Sequence, residues 1–146
     1  MDSERLGFLG GGQMATALAQ GALANHLLTA DRLHFCEPSK TQADKLRSRF
    51  EGCTVQSTPE PIFANCSTIL LAIKPQVLVA VHPQYRPLVR SHHRILSIVA
   101  GISIDSLSEW FGTERIIRVM PNTPVQVLAG ASGIAYGNGT TDEDRA

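Results

Sequence analysis

Six residues near the amino terminus, Gly10-Gly11-Gly12-Gln13-Met14-Ala15, have the spacing G-x-G-x-x-A. They follow an apolar run, Leu6–Leu9, and open a stretch rich in Ala, Leu and Gln, Gln13–Ala24. Between a strand and a helix, this pattern predicts a turn that holds a dinucleotide. Gly10 allows the tight turn, Gly12 keeps side-chain atoms away from a pyrophosphate, and Ala15 lets the helix lie close to the strand. The free N–H groups and the dipole of that helix favour phosphate charge. The chemistry read here is the holding of a cofactor. No His or Cys stands at a telling spacing from a carboxylate, so no general acid or nucleophile is assigned.

The second half of such a site belongs at the end of the second strand, in Phe35-Cys36-Glu37-Pro38-Ser39-Lys40. An acid there, Glu37, hydrogen-bonds ribose hydroxyls and favours NAD. The Ser39 hydroxyl and the Lys40 ammonium instead suit the 2′-phosphate of NADP. Both cofactors stay open at this point. Ligands of open α/β sheets bind outside the carboxyl ends of the strands. That rule adds Ala72-Ile73-Lys74-Pro75 and Ala100-Gly101, where small residues let a ring or a ribose lie on the backbone. It also adds the loop Met120–Pro124, in which Asn122 and Thr123 either face the same crevice or cap their own turn.

The elements that must position these loops alternate. Apolar runs at Leu6–Leu9, Leu33–Cys36, Ile69–Ile73, Ile95–Val99 and Ile116–Met120 read as strands buried on both faces. Helices are predicted at Gln13–Ala24, Thr41–Phe50, Val77–Val89 after Lys74-Pro75, and Ile104–Phe111 after the N-cap Ser103. Pro83 and Pro87 are expected to make the third of these irregular or to split it. A short strand is expected at Ser132–Tyr136. Strand and helix in alternation predict an α/β, Rossmann-like, doubly wound and mostly parallel sheet with helices on both faces. The expected domain covers residues 1–137, with 138–146 a linker.

Composition narrows the function. Thirteen basic residues balance thirteen acidic ones, so no nucleic-acid arm or membrane patch is expected. No apolar run reaches the length of a spanning helix, and the start MDSERLGF does not read as a signal peptide. Cys36, Cys53 and Cys66 lack CxxC spacing and read as free thiols of a reducing, cytoplasmic compartment, with no metal site. His92-His93 is expected at the polar start of a strand.

Taken together, GFLGGGQMATAL, LLAIKPQ, SIVAGIS and RIIRVMPNTPVQVLAG resemble the amino-terminal domain of the pyrroline-5-carboxylate reductase family, over residues 6 to 140 or so. The resemblance implies an oxidoreductase of proline biosynthesis that delivers a hydride from NADPH, or alternatively NADH, to the C=N carbon of a small cyclic imine. It places Leu9, Gly10, Gly11, Gly12, Gln13 and Met14 around the pyrophosphate, and Glu37 and Ser39 at the adenosine ribose or its 2′-phosphate. Ala72, Ile73, Lys74 and Pro75 then line the nicotinamide half, with Ala100 and Gly101 beside them. Met120–Pro124 borders the substrate. The family's second, helical domain forms the dimer and carries a substrate loop. It has no counterpart in these residues, so the chain is expected to bind cofactor without turnover and to form homo-oligomers only with that domain. Two other readings are a binding or regulatory module without turnover, and the cofactor domain of a related enzyme, such as a deazaflavin-dependent NADP reductase or a β-hydroxyacid dehydrogenase.

Overall fold

The computed structural model describes residues 4–121 and 132–145. The apolar runs become β1 (Leu6–Leu9), β2 (Leu33–Cys36), β4 (Thr68–Leu71), β5 (Arg94–Ser97) and β6 (Ile116–Pro121). A short β3 (Thr54–Gln56) adds one edge and β7 (Ser132–Tyr136) the other. The seven strands lie in the order β3-β2-β1-β4-β5-β6-β7. All pairings are parallel except β6 with β7. This is the doubly wound arrangement expected from the alternating pattern.

Helices cover both faces because the strand residues alternate between two apolar sets. On one face, α1 (Gln13–Ala24) and α2 (Lys40–Arg49) bury Ala15, Ala19, Ala43 and Leu46 against Phe8, Phe35 and Leu70. The Phe8 and Phe35 rings stack there with centroids 4.8 Å apart. On the other face, α3 (Glu60–Asn65), α4 (Pro75–Tyr85) and α5 (Ile104–Phe111) pack Ile62, Leu78, Leu107 and Phe111 onto Leu9, Leu71, Ile95 and Ile116. Small alanines on α1 let it approach the sheet closely, which keeps its first turn near the end of β1.

Caps fix where the helices start. Ser103 accepts from the Ser106 N–H at 3.1 Å, and Ser39 accepts from the Gln42 N–H at 3.3 Å. A serine cap of this kind contributes about 1 kcal/mol. Pro83 is accommodated inside α4, which ends at Tyr85 and passes into a 3-10 turn over Arg86–Leu88. The stretch to Val89 is therefore split as expected, before Pro87 rather than at Pro83.

Two expectations change. His93 precedes β5 as expected, but this start of the strand is not a polar surface there: the His93 ring is fully buried. Its Nδ1 accepts from the Arg90 N–H at 2.8 Å, so its proton sits on Nε2 and is donated to the Phe63 carbonyl at 2.8 Å. Residues 138–145, read as a linker, are fastened to the domain. The Gly139 N–H donates to the Glu114 carbonyl at 3.0 Å. A last short helix, α6 (Asp142–Arg145), places the fully buried Asp144 carboxylate against the Arg115 guanidinium, with two hydrogen bonds of 2.7 Å. The polar run Gly-Asn-Gly-Thr-Thr-Asp hides this buried pair, because arginines distant in sequence complete it.

Candidate functional site

From β1 the chain winds outward through β2 and β3, then returns to place β4 on the other side of β1. Strand order reverses between β1 and β4, which opens a crevice at their carboxyl ends. The turns there are laced together. The Gly10 N–H donates to the Cys36 carbonyl, and the Ala72 N–H donates to the Leu9 carbonyl, each at 2.9 Å. Gly10 has φ +103°, and a Cβ on it would fall 2.6 Å from the Ala72 carbonyl oxygen and 2.8 Å from Ile73 Cγ2. Glycine is required here both for its conformation and for space.

Gly12 is the opposite case. A Cβ there would meet no protein atom within 4 Å. It heads α1 without any side-chain cap, so the first N–H groups of the helix keep the unpaired state that a helix start imposes. Gly12 borders a groove of about 930 Å³ between α1 and α2, lined also by Gln13, Thr16, Gln42, Lys45 and Arg49. Among the described residues, Asp44 is the one carboxylate that lines the groove, and it is paired with Lys40 at 2.9 Å and Arg47 at 3.2 Å. The space beside Gly12 and the unpaired N–H groups of the first turn of α1 fit a bound dinucleotide phosphate.

Gly11 is held from the β2–α2 side. Its N–H donates to Glu37 Oε1 at 3.1 Å, and its carbonyl accepts from Gln42 Nε2 at 2.6 Å. The space a Cβ would need is occupied by Leu46 Cδ1, 2.4 Å away. Glu37 Oε2 accepts from the Ser39 N–H at 3.0 Å. The half-buried carboxylate thus joins the glycine turn to the start of α2. Lys40, the first residue of α2, is exposed and paired with Asp44.

The remaining candidates lie at the same end of the sheet. Lys74 is the exposed N-cap of α4, and Pro75 its first residue. Ala100 and Gly101 are exposed in the turn after β5, Gly101 with φ +75°. Gln13 is exposed and Met14 half-buried in the first turn of α1. Asn122 and Thr123 lie outside the described residues. The structure therefore gathers Gly10, Gly11, Glu37, Ala72 and Ile73 into direct contact, and sets Lys74 and Ala100-Gly101 on neighbouring turns. Gln42 was not singled out from the sequence, although Ser39-x-x-Gln42 is a recognisable capping-box pattern.

Burial keeps the nearby thiol inert. Cys36 is pushed up to about 11 by burial, with Glu37 and Glu60 adding to the effect. Cys66 is likewise pushed up to about 12 by burial. Neither provides a thiolate at neutral pH. Among the described residues, no three His, Cys, Asp or Glu side chains gather where they could hold a metal ion. No helix among them is long and apolar enough to cross a membrane. The site as built can bind and orient a dinucleotide.

A family model described as NADP oxidoreductase, coenzyme F420-dependent, matches residues 5–101, from β1 through the turn after β5. The chain belongs to this family. It is 36% identical over 145 residues to a pyrroline-5-carboxylate reductase of Pisum sativum, covering 98% of this chain and 52% of the relative. It also resembles the crystal structure of Plasmodium falciparum pyrroline carboxylate reductase with NADP bound, at 30% identity and TM-score 0.84, over 99% of this chain and 52% of that one. A pyrroline-5-carboxylate reductase from Coxiella burnetii superposes with TM-score 0.88 at 27% identity, over 98% and 53% of the two chains. The chain spans about half the length of the curated relatives it matches.

Proposed function

We propose that this chain is the dinucleotide-binding half of an NADPH-dependent reductase that converts 1-pyrroline-5-carboxylate to L-proline. The observation that carries the reading is the space beside Gly12 at the reversal of strand order. It occurs in a chain 30% identical along its length to a reductase whose structure has NADP bound. The bound dinucleotide supplies the hydride. The chain's own residues would hold its pyrophosphate on the Gly10–Met14 turn and its adenosine end near Glu37, Ser39 and Lys40. Ala72–Pro75 and Ala100-Gly101 would shape the nicotinamide end, and Asn122 and Thr123 would border the imine. NADP is favoured over NAD by the NADP-bound relative and by the family description. The three free thiols suit a reducing, cytoplasmic setting.

The relatives' additional length would supply the rest of the active site and a homo-oligomer interface. Hydride delivery needs an acceptor held at about 3–3.5 Å. The relatives' additional length would provide that placement, so residues 1–146 would bind cofactor without proline-forming turnover. The test is titration by nicotinamide fluorescence. NADPH binds the parent, and Gly12→Val, which puts branched carbon into the open space, raises Kd by about tenfold or more. Equal affinity in the variant would remove the pyrophosphate from this turn. The family description favours a second reading, hydride exchange between NADP and coenzyme F420. A longer form of the protein assayed with both acceptors separates the two.

A further inference from the structure

Gln42 occupies the third position of α2, three residues after the serine cap. In a capping box, the side chain at this position turns back to the N–H of the cap residue. Here the Ser39 N–H is taken by Glu37 Oε2 instead, at 3.0 Å. Gln42 is thereby released from its local role and reaches a carbonyl 31 residues away in sequence, that of Gly11, at 2.6 Å. The exchange is specific. Glu37 does the capping that Gln42 would do, and also takes the Gly11 N–H at 3.1 Å.

Peptide planarity gives the consequence. The Gly11 carbonyl and the Gly12 N–H belong to one trans peptide unit and point in opposite directions. With the carbonyl held toward α2 by Gln42, the Gly12 N–H is turned away from α2. The preceding peptide is fixed in the same way, through the Gly11 N–H on Glu37. Both planes of the glycine turn are thus set by the chain's own hydrogen bonds, from Glu37 and from Gln42 of α2. Fixing donors in advance raises affinity by removing the ordering cost at binding.

Resting on the dinucleotide reading above, we propose that Gln42 is a positioning residue for the cofactor pyrophosphate: its side-chain amide holds the Gly11 carbonyl and so aims the Gly12 N–H. The pyrophosphate is common to NADPH and NADH, whereas Glu37, Ser39 and Lys40 lie toward the ribose end that distinguishes them. Gln42 therefore sets affinity for both cofactors and leaves the choice between them alone.

The experiment titrates NADPH and NADH against residues 1–146, as parent, Gln42→Leu and Gln42→Asn, with adenosine 2′-monophosphate as a competitor that lacks the pyrophosphate. Gln42→Leu removes the donor at similar volume, and Gln42→Asn falls one methylene short of the carbonyl. In both variants, Kd for NADPH and NADH should rise together by about three- to tenfold, the effect of one lost hydrogen bond. The ratio of the two, and the affinity for adenosine 2′-monophosphate, should stay at parent values. Unchanged dinucleotide affinity, a shifted ratio, or an equal loss for the pyrophosphate-free competitor overturns the proposal. So does a lowered Tm with parent Kd, which marks a purely structural role. A parent that binds neither dinucleotide overturns the cofactor reading itself, and this proposal with it.

Discussion

The two ends of the sheet use their polar groups in opposite ways. At the amino ends of the strands, the charges are satisfied within the chain. Asp144 takes two hydrogen bonds from Arg115 and lies 3.5 Å from Arg94 Nη1, while Arg94 also pairs with Glu4. The buried His93 ring has both nitrogens engaged. At the carboxyl ends, Gly12 faces open space and α1 begins without a side-chain cap. One end closes the domain and the other leaves donors for a ligand. Unspent backbone N–H groups set the carboxyl end apart from the amino end. Of the strongly shifted groups, Asp144, Cys66 and Tyr85 serve the fold, and Cys36, beside the glycine turn, is shifted by its own burial.

Breaking the closed end should have the largest effect. Asp144→Ala removes the buried carboxylate that takes two hydrogen bonds from the Arg115 guanidinium and lies beside Arg94. Removing one partner of a buried pair costs about 3–5 kcal/mol, and the partial exposure of Arg115 puts this case near the lower figure. Denaturant unfolding should show that loss, while NADPH affinity of the folded protein stays at the parent value. A loss of affinity matching the loss of stability would mean that the two ends are not independent.

The same contrast explains what could be read in advance. β1, α1 and β2 were legible to the residue because an apolar run, a glycine turn and an alanine-rich helix follow one another without ambiguity. β3 and α3 were missed: one has three residues at a sheet edge and the other six residues opened by Glu60-Pro61, too short for a period to show. The apolar run Ile69–Ile73 predicts strand to its end, but β4 stops at Leu71, and Ala72 and Ile73 lie against Gly10 at the crevice. The glycine turn was legible because a cofactor demands it locally. The Gln42–Gly11 contact and the Arg115–Asp144 pair are not, since they join residues 31 and 29 apart and Gln42, Arg115 and Asp144 each look like ordinary surface in the sequence.

Acid should act next, and from the closed end. Burial pulls His93 and His34 below the ordinary histidine value of 6.5. Their neutral forms are favoured in the folded state, so that contribution is complete above pH 6.5 or so and fades as pH falls below it. Asp144 is held at about 2, against an ordinary 3.8, chiefly by the Arg115 hydrogen bonds. Its contribution is present above the ordinary value and is lost as pH drops toward 2. Urea unfolding between pH 8 and pH 3 should therefore show stability declining in two stages. His93→Gln should flatten the first stage; an unchanged slope would assign it to other groups.

The smallest effect sharpens the open end. Lys40 and Asp44 are paired at 2.9 Å, but their side chains are 88% and 53% exposed, so the pair adds little to stability. Lys40→Ala should leave Tm unmoved. It should still lower NADPH affinity relative to NADH, by about fivefold at most, because an exposed charge near a 2′-phosphate is screened by water. Glu37→Ser should move the ratio the other way by removing a negative charge. It should also weaken both cofactors, since the Gly11 and Ser39 N–H groups lose their acceptor. Ionic strength separates the two causes. The Lys40 effect should shrink between 50 mM and 500 mM salt as the screening length shortens from roughly 14 to 4 Å. The common loss in Glu37→Ser arises from hydrogen bonds in contact and should persist. If the Lys40→Ala ratio equals the parent's at both salts, Lys40 serves only Asp44, and discrimination between the cofactors lies with Glu37 and Ser39.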